Sequence, residues 1–457
     1  MYLGKLRDIA AAELKSAVSD IVIAVPGWYT EVQRRATIDA AQIAGLNVLR
    51  LINDSTAVAL GYGITKSDLP EADSPRHVVF VDVGHSNLSV AVVAFSKGQL
   101  TVKSTAYERN LGGRDIDYAL VQHFANEFKQ KYKIDVLSNQ KATFRLAAGC
   151  EKLKKILSAN AEAPLNVESI MNDIDASSKL TRDELESLIA DVLGRITAPI
   201  ETAIKESGLT LEQIDAIELV GGSTRVPAVR QRIQSVFPGK VLSTTLNQDE
   251  AVARGATFAC AMLSPVFRVR EFVIHDIMSY PIKVGWEREP DDEDSELLVF
   301  PHNNMTPSTK ILTFYRMGPF DIEASYADPQ SLPGNVNPWI GKLTAKQIGP
   351  PDAKGDLSPV KVKVRLSIHG IVSFEQVYYE EVEEKEEASM EVDSAEQAPP
   401  KKKKVIRKKD LPFVSGTLSL DASVVNTLRE TENQMHASDK LVMDTEVWQI
   451  NFFYIPE

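Results

Sequence analysis

A chain of 457 residues is too long for one ordinary hydrophobic core and predicts two or three domains. Its 44% hydrophobic and 25% charged residues suit a soluble globular protein, and no apolar run of about eighteen residues predicts a membrane-spanning helix. The net charge of -12 argues against broad nucleic-acid binding, while two distant cysteines, Cys150 and Cys260, exclude a disulfide framework or a cysteine zinc site and favour a reducing compartment.

The opening residues, Met1 to Asp8, lack the apolar core of a signal peptide, so a cytoplasmic or nuclear location is expected. Strand and helix patterns then alternate to about residue 264. Ile21 to Val25 is an apolar strand closed by Pro26 and Gly27. Thr30 with Gln33 has the spacing of a capping box, ahead of an Ala-rich helix that stops near Gly45. Leu49 to Ile52 and His77 to Val83 read as strands. Leu88 to Ala94 and Leu100 to Thr105 flank Ser96-Lys97-Gly98 as a β-hairpin. Amphipathic helices are predicted from Asp115 to Tyr132, across Glu151 to Leu157, and as one helix from Arg182 to Lys205. Ile214 to Val220 is a further strand. Hairpins mixed with helices imply an α/β domain built on a mixed sheet.

After Ser264-Pro265 the texture changes. Short runs at Pro281 to Trp286, Lys310 to Tyr315, Ile322 to Tyr326 and Val360 to Ile368, separated by Pro, Gly, Asn and Asp, predict an all-β sandwich over 265–422. The acidic block Glu380 to Glu387 and the basic block Lys401 to Lys409 predict a disordered loop at about 380–410. The basic block also reads as a nuclear-import or anionic-partner patch. Phe413 to Leu420 is a returning strand, and a helix runs from Ser423 through Leu441. The tail from about Val447 breaks the helical charge pattern.

Three glycine turns follow strands: Gly84-His85-Ser86, Leu111-Gly112-Gly113 and Gly221-Gly222-Ser223. Glycine admits close backbone approach to a phosphate, and successive amides form an anion-binding nest. A single such turn is usually only a tight connection; three in order point to phosphate.

Ile23 to Tyr29, Ala44 to Asp54, Leu219 to Pro227 and Asn247 to Ala256 resemble the nucleotide-binding domain of the heat shock protein 70 superfamily. The motif Asn53-Asp54-Ser55-Thr56-Ala57, the phosphate turn Gly84-His85-Ser86, the linker Ser264 to Arg270 and the acidic-then-basic insertion resemble its heat shock protein 110 branch. The resemblance implies an actin-like (ribonuclease H-like) α/β domain, a β-sandwich and the start of a helical region. Sugar kinases and actins share the two-lobed fold, but the appended sandwich counts against them. The implied cofactor is ATP or ADP with Mg2+. Glu151, Lys154, Lys155 and Ser158 would clamp the adenosine opposite Gly222, Ser223, Arg225 and Asp249. Gly84, His85, Ser86, Gly112 and Gly113 would meet the phosphates. Asp82 would hold Mg2+ through water, and Asp54 stands in place of the family's catalytic glutamate, one methylene shorter.

The same resemblance aligns Met1 with an interior helix of the first lobe. It implies that the first phosphate-gripping turn and a catalytic lysine are missing, that this lobe has an unpaired sheet edge, and that hydrolysis by this chain is not expected. The implied role is an ATP-binding co-chaperone, a nucleotide-exchange factor for heat shock protein 70 partners and a holdase for unfolded polypeptides, without nucleic acid or membrane. The alternatives are an ATP-hydrolysing chaperone or an inactive fragment.

Overall fold

The computed structural model describes residues 1–289, 292–349, 359–386 and 402–453. It divides into two compact units: Met1–Ile21, Tyr29–Leu51 and Met278–Glu457 form a β-rich unit, and Val22–Trp28 with Ile52–Ile277 form a sheet-and-helix unit. The expected boundary at 264–265 therefore does not separate them. The chain opens with α1 (Tyr2–Leu14), β1 (Asp20–Val25), α2 (Glu31–Ile43) and β2 (Asn47–Asn53). At the start of α2 the Thr30 N–H donates to Gln33 Oε1 at 2.9 Å, half of the capping box that the Thr-x-x-Gln spacing predicts.

The sheet-and-helix unit continues with α3 (Asp54–Ile64), β3 (Arg76–Val83), β4 (Leu88–Ser96), β5 (Gln99–Glu108), α4 (Gly113–Lys131) and α5 (Gln140–Ala159). Then come β6 (Glu162–Met171), β7 (Ile174–Thr181), α6 (Arg182–Leu188), α7 (Ala190–Gly194) and α8 (Thr197–Ser207). It ends with β8 (Ala216–Val220), α9 (Pro227–Val236), β9 (Leu242–Ser243), α10 (Ala251–Leu263) and β10 (Val273–Met278). Within this unit the strand order is β10-β5-β4-β3-β8-β9. β3, β4 and β5 pair antiparallel, whereas β8, β9 and β10 join parallel, so the mixed sheet is observed. Every residue of β4 is buried, as a central strand covered on both faces requires. Val79, Val81, Val90 and Val92 share a core with Phe124, Leu153, Ile200 and Ile233 from α4, α5, α8 and α9.

Two expectations change here. The helix predicted from Arg182 to Lys205 is three pieces, α6, α7 and α8. Pro199 has no N–H for the Arg195 carbonyl, and Gly194 is a weak helix former just before the break. β10 extends the sheet past residue 264, with Val273 beside Gln99 in parallel register. A hairpin not anticipated, β6–β7, buries Ala163, Leu165 and Val167 in strict alternation.

The β-rich unit adds β11 (Ile282–Trp286), β12 (Glu296–Phe300), β13 (Asn304–Thr306), β14 (Ser308–Phe314), β15 (Phe320–Tyr326) and β16 (Trp339–Ala345). β17 (Val360–Leu366), β18 (Val372–Glu386), β19 (Lys402–Asp410), β20 (Phe413–Thr417) and α11 (Ala422–Phe453) complete it. Two antiparallel sheets, β12-β11-β15-β16-β20 and β14-β17-β18-β19, face each other across Ile282, Val284, Ile322, Leu343, Val360, Val362 and Val364. β17 alternates buried and half-buried residues along its whole length, the pattern of a sandwich strand.

α2 packs in this unit through a buried polar cluster. The Glu31 N–H donates to the Tyr326 hydroxyl at 2.7 Å, and Glu31 Oε1 accepts from Arg35 at 2.6 Å. Arg34 donates to the His369 carbonyl at 3.2 Å.

The disordered loop expected at 380–410 is corrected at both ends. β18 and β19 pair antiparallel, with Glu380 opposite Lys408 and Glu381 opposite Arg407, so opposite charges face across the ladder. Residues 387–401, with the middle of that loop, lie outside the described residues. α11 also runs past Leu441 to Phe453, through the segment expected to break the helical pattern.

Candidate nucleotide-binding site

The site belongs wholly to the sheet-and-helix unit and starts at the ends of β3 and β8. The three glycine turns are bonded to one another. Gly113 N–H donates to the Gly84 carbonyl at 3.0 Å, and Arg114 N–H to the His85 carbonyl at 2.9 Å. Ser223 Oγ donates to that same Gly84 carbonyl at 2.8 Å. Gly221 has φ +82°, and a methyl group there would overlap the Val83 carbonyl, so only glycine fits. At Gly113 a Cβ would sit 2.7 Å from Ser223 Oγ, which keeps the second and third turns in close approach.

These turns border a cavity of about 590 Å³, inside the usual range for small-molecule pockets. Of the candidate residues, Asp82, Gly84, His85, Gly113, Lys154, Lys155 and Ser158 line it. Gly222, Ser223, Arg225 and Asp249 line it too. Asp54, Ser86, Gly112 and Glu151 are not among the lining residues. Gly112 backs onto the His85 carbonyl, and Ser86 Oγ faces Asn87 at 3.4 Å. Gly221 of the third glycine turn lines the cavity as well, as do Val220, Val226, Gln248 and Val252, which are not among the candidate residues. Val220, Val226, Gln248 and Val252 fall inside the motifs that carry the resemblance, so their positions are readable in the sequence. The role of Gln248, next to Asp249 in the chain, is displayed only by the fold, where it accepts from Arg225 Nε.

Helix α5 presents Lys154 and Lys155 in different settings. Lys154 is buried; its Nζ donates to Asp117 Oδ2 at 2.8 Å and to the Gly113 carbonyl at 3.3 Å. Lys155 is exposed and pairs with Glu151 at 2.6 Å, which holds the Glu151 carboxyl below its ordinary range. Glu151 and Lys154, both members of the implied adenosine clamp, are thus each paired with another residue. Ser158 Oγ donates back to the Lys154 carbonyl at 3.1 Å.

Across the cavity Arg225 binds Asp249 through two guanidinium nitrogens, at 3.1 and 2.6 Å, and its Nε donates to Gln248 at 3.0 Å. This fork fixes the guanidinium plane at the rim. At the floor, burial first and the Asp54 charge second push the Asp82 carboxyl up to about 7. Asp54, first residue of α3, accepts from the Ser55 N–H at 2.7 Å. Among the described residues no cluster of three metal-ligating side chains occurs. A lone carboxylate suits Mg2+, which keeps most of its water.

A family model described as "Hsp70 protein" matches residues 1–447. "Heat shock protein hsp88" of Neurospora crassa is 50% identical over 455 residues, covering 98% of this chain and 64% of that protein. A heat shock protein homolog of Saccharomyces cerevisiae is 46% identical over 451 residues, 98% of this chain and 65% of that protein. "Heat shock 70 kDa protein 4" of Rattus norvegicus is 48% identical over 397 residues, 86% of this chain and 47% of that protein. The chain thus spans less than two thirds of the length of these relatives.

Proposed function

Because this chain belongs to the heat shock protein 70 family, in its heat shock protein 110 branch, we propose that its pocket takes ADP or ATP. We further propose that the protein acts as a nucleotide-exchange factor for heat shock protein 70 partners and as a holdase for unfolded polypeptides. The carrying observation is the set of three glycine turns bonded around one cavity that Lys154 and Arg225 also line. The cradle fits the ligand: glycine admits a close approach of the backbone here, since side chains at Gly113 or Gly221 would fill the space or strain the backbone.

In this reading the phosphates lie against the backbone of Gly84, His85, Gly113, Gly222 and Ser223 and take the amides of His85, Gly222 and Ser223, while those of Gly84 and Gly113 hold the turns in shape by donating to the Asn87 and Gly84 carbonyls. Lys155 and Ser158 face the ribose, with Lys154 beneath them. The Arg225 plane, held by Asp249 and Gln248, offers one face for stacking on an adenine ring. Asp82 holds a magnesium-bound water once it has lost its proton. Magnesium supplies charge neutralisation for the phosphates when bound. Ser86, Gly112 and Glu151 support this wall from behind and need not touch the ligand.

Binding without turnover is the favoured mode, since Asp54 is tied to the Ser55 amide and is one methylene shorter than a glutamate. The proposed setting is the cytoplasm. Among the described residues no helix is long and apolar enough to cross a membrane.

Two measurements test the reading. Calorimetric titration with ADP gives saturable heat that is lost when Lys155 and Arg225 are both reversed to glutamate; no heat with the unaltered chain ends the proposal. Adding the protein to a heat shock protein 70 partner loaded with fluorescent ADP accelerates ADP release. Single-turnover hydrolysis with Asp54→Ala as control separates binding from catalysis: a burst lost in the variant would favour the ATP-hydrolysing alternative.

A further inference from the structure

Asp117 lies on α4 one turn beyond Gly113 and does not line the pocket. Its Oδ2 accepts from Lys154 Nζ at 2.8 Å, and the two side chains are only 14% and 10% exposed. Its Oδ1 is buried and has no hydrogen-bond partner among the described residues. Among those residues, holding Lys154 is therefore the one polar contact that this carboxylate makes.

Lys154 in turn spans two parts of the site. It rises from α5, which carries Lys155 and Ser158, and donates a second N–H to the carbonyl of Gly113. Gly113 is the residue whose amide is bonded to Gly84. One ammonium group thus ties the nucleoside-facing helix to the glycine turns. A cation so far withdrawn from water keeps its charge and its place only beside an anion. Asp117 is the only anion that accepts from it among the described residues.

We infer that Asp117 is a positioning residue of this pocket, one that pins Lys154 between α5 and the Gly112–Gly113 turn and so couples the nucleoside side to the phosphate side. The inference rests on the nucleotide reading above. It makes a distinction that a purely structural ion pair does not. Loss of a structural pair weakens every ligand alike or lowers the stability of the fold. Loss of the coupling selectively removes the affinity that the phosphates add to the nucleoside.

The test uses the full chain and two probes, adenosine and ADP, titrated by calorimetry. In the unaltered protein ADP binds more tightly than adenosine. In Asp117→Asn this ratio falls about tenfold, the scale of a typical coupling between sites, while adenosine affinity stays within about twofold. Asp117→Glu, which keeps the charge, restores most of the ratio. If Asp117→Asn does not fold, as judged by circular dichroism, Asp117→Ser, which leaves Lys154 in place, is read in the same way. An unchanged ratio, or equal weakening of both probes, overturns the inference while the nucleotide reading stands. Absence of binding by the unaltered chain overturns both.

Discussion

Replacing Asp82 with asparagine removes the charge that the floor of the pocket resists most. Burial and Asp54 raise the carboxyl from 3.8 to about 7. That difference is about three pKa units, each worth about 1.36 kcal/mol, so ionising Asp82 costs the fold about 4 kcal/mol more than it costs the unfolded chain. The sign follows from proton counts. Between pH 3.8 and 7 the folded chain keeps a proton that the unfolded chain has released. The contribution of Asp82 to stability is thus complete below 3.8 and declines until the pH passes about 7. Asparagine does not titrate, so the advantage of Asp82→Asn should be about 3 kcal/mol larger at pH 8 than at pH 5. Because two units need not unfold together, urea titrations should be read peptide by peptide, through hydrogen-exchange mass spectrometry of β3 and β4. Nucleotide is left out and EDTA added. An equal difference between variant and parent at both pH values would refute the reasoning, because it would mean that Asp82 is ionised throughout.

Four further substitutions have expected outcomes. Gly221→Ala, at φ +82° against the Val83 carbonyl, should cost about 2–3 kcal/mol. Gly208→Ala, at φ +72° with open space around it, should cost about 1 kcal/mol by thermal unfolding. Glu31→Ala leaves the half-buried Arg35 with only the Val372 carbonyl and the Ser419 hydroxyl as acceptors and takes an acceptor from the Val372 N–H, so a loss of about 3 kcal/mol is expected. Chemical denaturation followed in the β-rich unit measures it, and a loss below about 1 kcal/mol would mean that the pair barely offsets its own desolvation. Burial, Arg50 and Arg34 hold the His369 imidazole below its ordinary 6.5, and its Nδ1 accepts the Leu51 N–H at 3.1 Å. The folded state therefore binds fewer protons than the unfolded one just below pH 6.5, and the stability of His369 is lost as the pH falls through that window. His369→Gln should flatten the decline in thermal midpoint between pH 7.5 and 5.5.

Local chemistry made much of this protein legible in its sequence. Strict alternation in Val360 to Leu366 and the continuous apolar run in β4 each specify a strand, because a side chain's face follows from its position along the backbone. The glycine turns, Lys154, Lys155, Arg225 and Asp249 could likewise be named as a site from their motifs. Other features depend on atoms far apart in the chain. That Lys154 belongs to Asp117 rather than beside Glu151 is set by the packing of α4 against α5. The pairing of acidic β18 with basic β19 needs a partner strand that composition does not reveal, and composition alone reads both as too charged to order. The sheet membership of β10, and the place of α2 in the β-rich unit through Glu31, Arg35 and Tyr326, are decided the same way. Periodicity tells a segment what shape to take; burial and charge pairing between distant segments tell it where to go.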